Sequence, residues 1–254
     1  MSALRIPAPL TSAEGIRLTP WHAEPAFVHL ALTATRRQPL APSTLARTLA
    51  GLRARGSRGV VTAALAPPDQ QVFVDTGFQV VEKLHLLRHP LDPLPPLLPI
   101  PTRRARRREQ DAALAVDRAA FPPFWQLDDT ALTEALAATR SARLRVIDGP
   151  DGEIVAYAVC GRTASRGYVQ RLAVHPSHEG LGYGTALLVD GLHWLARWGA
   201  RDALVNTQES NRRSRALYTR TGFQLQPSGL AVLRLDFDDP VPGPSPAVGT
   251  VWSR

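Results

Sequence analysis

From Tyr168 to Phe223 the chain reads YVQRLAVHPSHEGLGYGTALLVDGLHWLARWGARDALVNTQESNRRSRALYTRTGF, an order of events that leaves few folds open. A short apolar strand runs into a loop with glycines at 180, 182 and 184. A long amphipathic helix follows, then a second strand, then Asn211, Ser214 and Tyr218 ahead of a Gly-Phe turn. Strand, glycine loop and helix in that order gather free backbone N–H groups at the positive end of a helix, a site suited to phosphate.

The chain of 254 residues is long enough for one large domain or two small ones with a sizeable core. Its single cysteine, Cys160, rules out an intrachain disulfide and a four-cysteine metal site, and no metal is expected. Cys160 reads as a small buried residue on a strand rather than a nucleophile. No apolar run approaches ~18 residues and no signal-peptide pattern opens the chain, so the expectation is a cytoplasmic protein with no membrane partner, a monomer or a homodimer. The formal charge is +8, and with one lysine (Lys83) it is carried almost wholly by arginine. That bias, with abundant Ala, Pro and Leu, is typical of a GC-rich bacterial coding sequence. The densest basic run, Arg103, Arg104, Arg106, Arg107 and Arg108, has no interleaved aromatics, so a solvated face is favoured over nucleic-acid binding.

Two proline-rich stretches punctuate the chain. HPLDPLPPLLPIPT (89–102) reads as a stiff linker, and the residues from 238 onward as a flexible tail. The expected organisation is therefore an N-terminal region over 1–92, a linker over 93–99, a domain over 100–237 and a tail over 238–254. Within the domain strands alternate with helices, the pattern of an α/β fold with a mixed central sheet flanked by helices. Helices are expected over 111–121, 129–139, 184–198 and 211–220. Strands are expected over 143–147, 154–161, 168–174, 203–207, 223–225 and 230–237. Apolar residues at 187, 188, 192 and 195 give the third helix a clean face, and Gly199 closes it.

The first region carries an echo of the second. RGSRGVVTAALAPPDQQVFVDTGF (55–78) parallels WGARDALVNTQESNRRSRALYTRTGF (198–223): an apolar helix ending at glycine, a strand, a helix, then Thr-Gly-Phe-Gln. The following stretches, VVEKLHLLRH and LQPSGLAVLRL, also correspond. An internal repeat is inferred. The first copy has Phe73 where the second has Tyr218 and lacks a glycine loop, so cofactor chemistry is not expected of it.

The strand 169–174 followed by HPSHEGLGYGTALL resembles the cofactor motif of the GNAT superfamily of acetyl-CoA-dependent N-acetyltransferases, Gln/Arg-x-x-Gly-x-Gly/Ala, here Glu179 to Gly184. The resemblance implies a GNAT fold, with the N-terminal region as a smaller degenerate GNAT-like α/β half-domain. It further implies that backbone amides of Glu179, Gly180, Leu181, Gly182, Tyr183, Gly184 and Thr185 hold the pyrophosphate of acetyl-CoA. The backbone of Leu172, Ala173 and Val174 would pair with the pantetheine arm. Glycine lets phosphate approach the amides. Glu179 departs from the pattern, since a carboxylate beside phosphate is unfavourable unless it points to solvent or is answered by Arg212 or Arg213. The dinucleotide alternative is disfavoured because G-x-G-x-G is not G-x-G-x-x-G, and there is no P-loop motif.

Asn211, Ser214 and Tyr218 fall on one helical face. As plain structure they are a cap, a surface hydroxyl and a packed aromatic. By resemblance Asn211 and Ser214 would bind CoA, and Tyr218, a phenol protonated at neutral pH, would donate its proton to the departing thiolate while Val174 N–H stabilises the oxyanion. The positions where relatives often place the base hold Tyr168, Gln170 and Asn206, none of them a base. Glu209 is the nearest carboxylate, His175 a weaker alternative, and a water chain past Gln170 and Tyr168 a third. The acceptor side is expected at FPPFWQLDD (121–129). There Phe121, Phe124 and Trp125 would form an apolar wall, Asp128 or Asp129 would hold an ammonium group, and Tyr168 and Gln170 would face the same side; helix-to-helix packing explains the same residues without a ligand. The implied function is acetyl transfer from acetyl-CoA to a primary amine, of a small molecule or a protein. The competing reading is a CoA-binding sensor or scaffold with little turnover.

Overall fold

The structure is a computed structural model that describes residues 10–11, 15–33 and 39–237. The expected tail, 238–254, lies outside the described residues. The chain runs through β1 (Leu10–Thr11), β2 (Ile16–Pro20), β3 (Phe27–Leu32), α1 (Pro42–Ala54), β4 (Gly59–Thr62), α2 (Pro67–Val74) and β5 (Gln79–His89). Then come β6 (Arg103–Arg104), α3 (Gln110–Ala120), α4 (Asp129–Ala137), β7 (Ser141–Asp148), β8 (Ile154–Thr163) and β9 (Arg166–Val174). It ends with α5 (Tyr183–Arg197), β10 (Asp202–Gln208), α6 (Arg212–Arg220), β11 (Gln224–Leu225) and β12 (Leu230–Asp236). The elements expected over 111–237 are all present, with ends moved by at most two residues. Among the described residues no helix is long and apolar enough to cross a membrane.

The chain divides into two compact units, but not at the proline-rich segment: one unit is 1–82 with 231–254, the other 83–230. In the first, β3 pairs parallel with β4 and β4 pairs antiparallel with β12. In the second, β9 pairs parallel with β10 and β10 pairs antiparallel with β5. The strand that follows α2, β5, therefore pairs within the second unit's sheet, and β12, the last strand, pairs within the first's. The expected boundaries at 92/93 and 237/238 assumed each unit to be one contiguous stretch. The first unit is instead made of two segments, 1–82 and 231–254, and the second is the stretch 83–230 that takes in most of β5.

The inferred repeat is matched in local geometry. Phe78 N–H donates to Phe73 C=O at 3.0 Å, and Phe223 N–H to Tyr218 C=O at 3.0 Å. The intervening Gly77 and Gly222 have φ of 96° and 93°, a left-handed conformation that costs glycine little. Thr76 and Thr221 each return their hydroxyl to the carbonyl four residues back, Val72 and Leu217.

In the second unit the sheet order is β6-β7-β8-β9-β10-β5, antiparallel except for β9/β10. β8 is buried on both faces, which explains its unbroken apolar reading IVAYAVCG. Tyr157 and Val159 pack toward α3 and α4 with Leu114 and Leu132, whereas Cys160 packs toward α5 with Leu188, Leu192 and Leu195. Cys160 is free and buried, and burial pushes its thiol up to about 12, so it is inert at neutral pH. Helix α5 buries Leu187, Leu188, Leu192 and Leu195, each worth about 1.5–3 kcal/mol of transfer free energy. It ends in a Schellman closure: Gly199 N–H bonds Ala196 C=O and Ala200 N–H bonds Leu195 C=O, both at 3.0 Å. The segment 89–102 is not a spacer between bodies. Leu91 and Leu94 join the α5 cluster, Leu98 and Ile100 pack beside Leu187, and Pro95 C=O meets His193 Nε2 at 2.8 Å.

The arginine run straddles β6 and the turn before α3. Arg103 is answered by Asp148, at 2.5 Å, and by Glu109, at 2.8 Å, while Arg106, Arg107 and Arg108 are exposed.

Candidate functional site

β9 is where the site begins. Its pairing with β8 slips between Val159 and Cys160, leaving Gln170 as an extra, bulged residue. Its parallel pairing with β10 covers Arg166, Gly167 and Tyr168 and goes no further. Beyond Tyr168 the two strands part. His175 N–H is spent on Val155 C=O at 2.8 Å. Because hydrogen-bonding groups alternate sides along a strand, the N–H and C=O of Val174 and Leu172 face the edge that β10 has left.

The loop beyond β9 leads into α5. Gly180 and Gly182 sit at φ of 82° and 84°, and Gly182 is the residue that opens the helix. No side chain caps α5, so the first-turn N–H groups of Tyr183, Gly184 and Thr185 have no side-chain partner. Across from them α6 starts at Asn211, whose Oδ1 accepts Ser214 N–H at 2.9 Å. Asn211 is therefore the cap of α6, and it also lines the cavity between these elements.

Between these elements lies a cavity of about 350 Å³. It is walled by Leu172, Ala173 and Val174 of β9 and by His178, Glu179, Gly180, Gly182, Tyr183, Gly184 and Thr185 of the loop and helix start. The far wall is Asn211, Arg213, Ser214, Leu217, Tyr218 and Arg220 of α6, with Ala120 and Phe121 at the end of α3. Of the residues expected to hold a cofactor, Leu181 alone is not in the wall; it is exposed to solvent. Glu179 is answered by Arg213, which reaches across from α6. Tyr218 is 6% exposed and packs on Phe223. Burial pushes its phenol up to about 12, opposed by the nearby Arg171 charge, so the hydroxyl remains a proton donor at neutral pH.

The residues expected on the acceptor side are more dispersed. Phe121 is in the cavity wall; Phe124, Trp125, Asp128, Tyr168 and Gln170 are not. Phe124 and Trp125 pack edge to face with centroids 4.9 Å apart. Asp128 caps α4 by accepting Ala131 N–H at 2.7 Å. Gln170 Nε2 donates to Ala135 C=O at 2.7 Å, and its Oε1 is buried without a partner. Glu209 is exposed and outside the cavity, and its N–H bonds Lys83 C=O. His175 Nδ1 is engaged with Ser177 Oγ at 2.7 Å. Among the described residues no group of three or more His, Cys, Asp or Glu is placed to hold a metal ion.

Sequence reasoning missed a buried network beside the cavity. Asp117 on α3, fully buried, accepts from Tyr157 Oη at 2.5 Å, Arg171 Nε at 2.7 Å, Arg171 Nη2 at 2.9 Å and Leu127 N–H at 2.7 Å. Arg171 also donates to Trp125 C=O at 2.6 Å and lies over the Phe121 ring at 3.5 Å. A legible signal existed: Asp117 shares the apolar face of α3 with Ala113, Leu114 and Val116, where an aspartate needs a partner.

Residues 111–223 match the family described as Acetyltransferase (GNAT) family. The chain is 29% identical over 160 residues to a mycothiol acetyltransferase of Actinosynnema mirum, a match covering 58% of this chain and 53% of that protein. It spans about half the length of the curated relatives it matches. A GCN5-related N-acetyltransferase from Kribbella flavida shares the fold, with a TM-score of 0.61 at 20% identity, over 93% of this chain and 92% of that one. A tandem GNAT protein from the clavulanic acid biosynthesis pathway gives a TM-score of 0.61 at 14% identity over 87% of this chain and 78% of that one. The family match covers every element that walls the cavity, and the mixed α/β fold is the one shared with these solved structures.

Proposed function

We propose that the chain is an N-acetyltransferase that passes an acetyl group from acetyl-CoA to a primary amine. The observation that carries this reading is the meeting, around one cavity, of the unpaired edge at Leu172–Val174, the uncapped start of α5 and Tyr218. Acetyl-CoA, when bound, supplies the thioester that the amine attacks. Amides of the Gly180–Thr185 turn hold its pyrophosphate, and the β9 edge takes its pantetheine arm as a further strand. Val174 N–H stabilises negative charge on the acetyl oxygen, and Tyr218 Oη gives its proton to the leaving sulfur. Phe121 is the part of the 121–129 segment that faces the acceptor.

One observation favours a second reading, a CoA-binding protein with little turnover: no carboxylate other than the paired Glu179 lines the cavity, and Glu209 lies outside it. Incubation with acetyl-CoA and a panel of amines, peptides included, separates the two. The enzyme releases free thiol with at least one acceptor. Ligand-induced thermal protection without thiol release across the panel would leave the binding protein as the better account.

A further inference from the structure

The ion pair between Glu179 and Arg213 joins opposite walls of the cavity: Glu179 belongs to the loop after β9, Arg213 to the second position of α6, and both line the space between. Their side chains are 40% and 62% exposed, so the pair is solvent-screened and easily exchanged. Arginine offers a planar fork that suits phosphate at least as well as carboxylate. Arg220, seven residues on and also in the wall, presents a second guanidinium on the same helical face. Glu179, by contrast, places a negative charge beside the backbone amides of the glycine turn, where a phosphate would have to come.

We propose that Arg213 is the anion-binding side chain of this cavity, that the carboxylate of Glu179 occupies it in the ligand-free protein, and that the pyrophosphate of the donor displaces Glu179 on binding. The proposal rests on the acetyl-CoA reading above. It makes the first position of the glycine turn a competitor for the ligand's site, with the cation supplied from α6. Arg213 therefore sets both the preference for a phosphate-bearing donor and the cost of admitting it.

Calorimetric titration of the full chain with acetyl-CoA, and with acetylpantetheine, which lacks the phosphates, tests this. Arg213→Gln weakens acetyl-CoA binding about tenfold or more and leaves acetylpantetheine unchanged. Glu179→Gln tightens acetyl-CoA binding about threefold or more, again without effect on acetylpantetheine. Both side chains are exposed, and an unchanged thermal midpoint verifies folding. Equal acetyl-CoA affinity in Arg213→Gln and the parent would reduce the pair to a surface contact. Unchanged or weaker binding in Glu179→Gln would overturn the displacement. Failure of the parent chain to bind acetyl-CoA would instead overturn the donor reading itself.

Discussion

Arg171 and Asp117, 54 positions apart in sequence, meet through two hydrogen bonds at 2.7 and 2.9 Å, with Asp117 wholly buried. Arg171 immediately precedes the Leu172–Val174 edge, and its guanidinium also holds Phe121 and Trp125. The pair therefore ties the strand that forms one cavity wall to the segment that ends the other. With four hydrogen bonds accepted, Asp117 is engaged as an anchor and is not in the cavity wall.

Removal of that anchor is expected to be costly. Asp117→Ala leaves the Arg171 charge largely buried and unpaired, a loss of about 3–5 kcal/mol. Urea denaturation measures it; a loss below about 1 kcal/mol would show that the network relaxes without Asp117.

Tyr218→Phe keeps the packing on Phe223 and deletes the hydroxyl proposed as the proton donor. Turnover should drop on the order of a hundredfold with acetyl-CoA binding unchanged. Because burial holds the phenol near 12, any turnover of the parent chain should show no alkaline loss from this group below about pH 10. Full turnover in the variant would remove Tyr218 as the acid.

Gly182 opens α5 at φ 84°, and a Cβ there would stand 3.3 Å from Ile100. Gly182→Ala should cost about 1–2 kcal/mol from the left-handed conformation alone. Donor affinity should fall with it, since the turn carries the amides. Thermal unfolding with and without acetyl-CoA reads both effects.

The exchanged strands make a prediction about fragments. Residues 93–237 expressed alone lack β5, which buries Leu84 and Leu87 and pairs along β10 from Ala203 to Gln208. That leaves an unpaired, apolar edge, and the fragment should aggregate or lose fixed structure. Residues 79–230 retain the strand. A well-dispersed NMR spectrum from the shorter piece would contradict the account.

In the first unit, desolvation and the charges of Arg17 and His22 lower His29 from its usual 6.5 to about 4. The unfolded chain then takes up the proton first. Stability from this group is complete above about pH 6.5 and is lost as pH falls toward 4. Denaturation midpoints measured at pH 7.5, 5.5 and 4.5 should decline more steeply for the parent than for His29→Gln.

Much of the candidate site was legible because it is local. The period of α5, the glycines at 180 and 182, the Asn211 cap and the Gly-Phe turns each depend on residues within a few positions of one another, and all lie where the pattern put them. The proline-rich segment was misread as a spacer because proline content reports stiffness and not contact. Leu91, Leu94, Leu98 and Ile100 inside it pack against the α5 clusters. The segment expected to face an acceptor was the least legible, since the Asp128 carboxylate caps α4 and the Gln170 Nε2 donates to Ala135 C=O of the same helix.

By itself the sequence determined the alternation of strands and helices, the glycine turn at the head of α5 and the repeat marked by Phe73–Phe78 and Tyr218–Phe223. These follow from backbone preference and hydrophobic period, which act over one or two turns of chain. Only the tertiary structure decided which sheet β5 and β12 complete, that Asp117 answers Arg171, and that Glu179 is held by Arg213. Strand pairing is made by backbone groups that every residue carries, and an ion pair needs only that two charges arrive together. Neither leaves a periodic trace in the chain, so both are fixed by how the packed elements come to lie against one another.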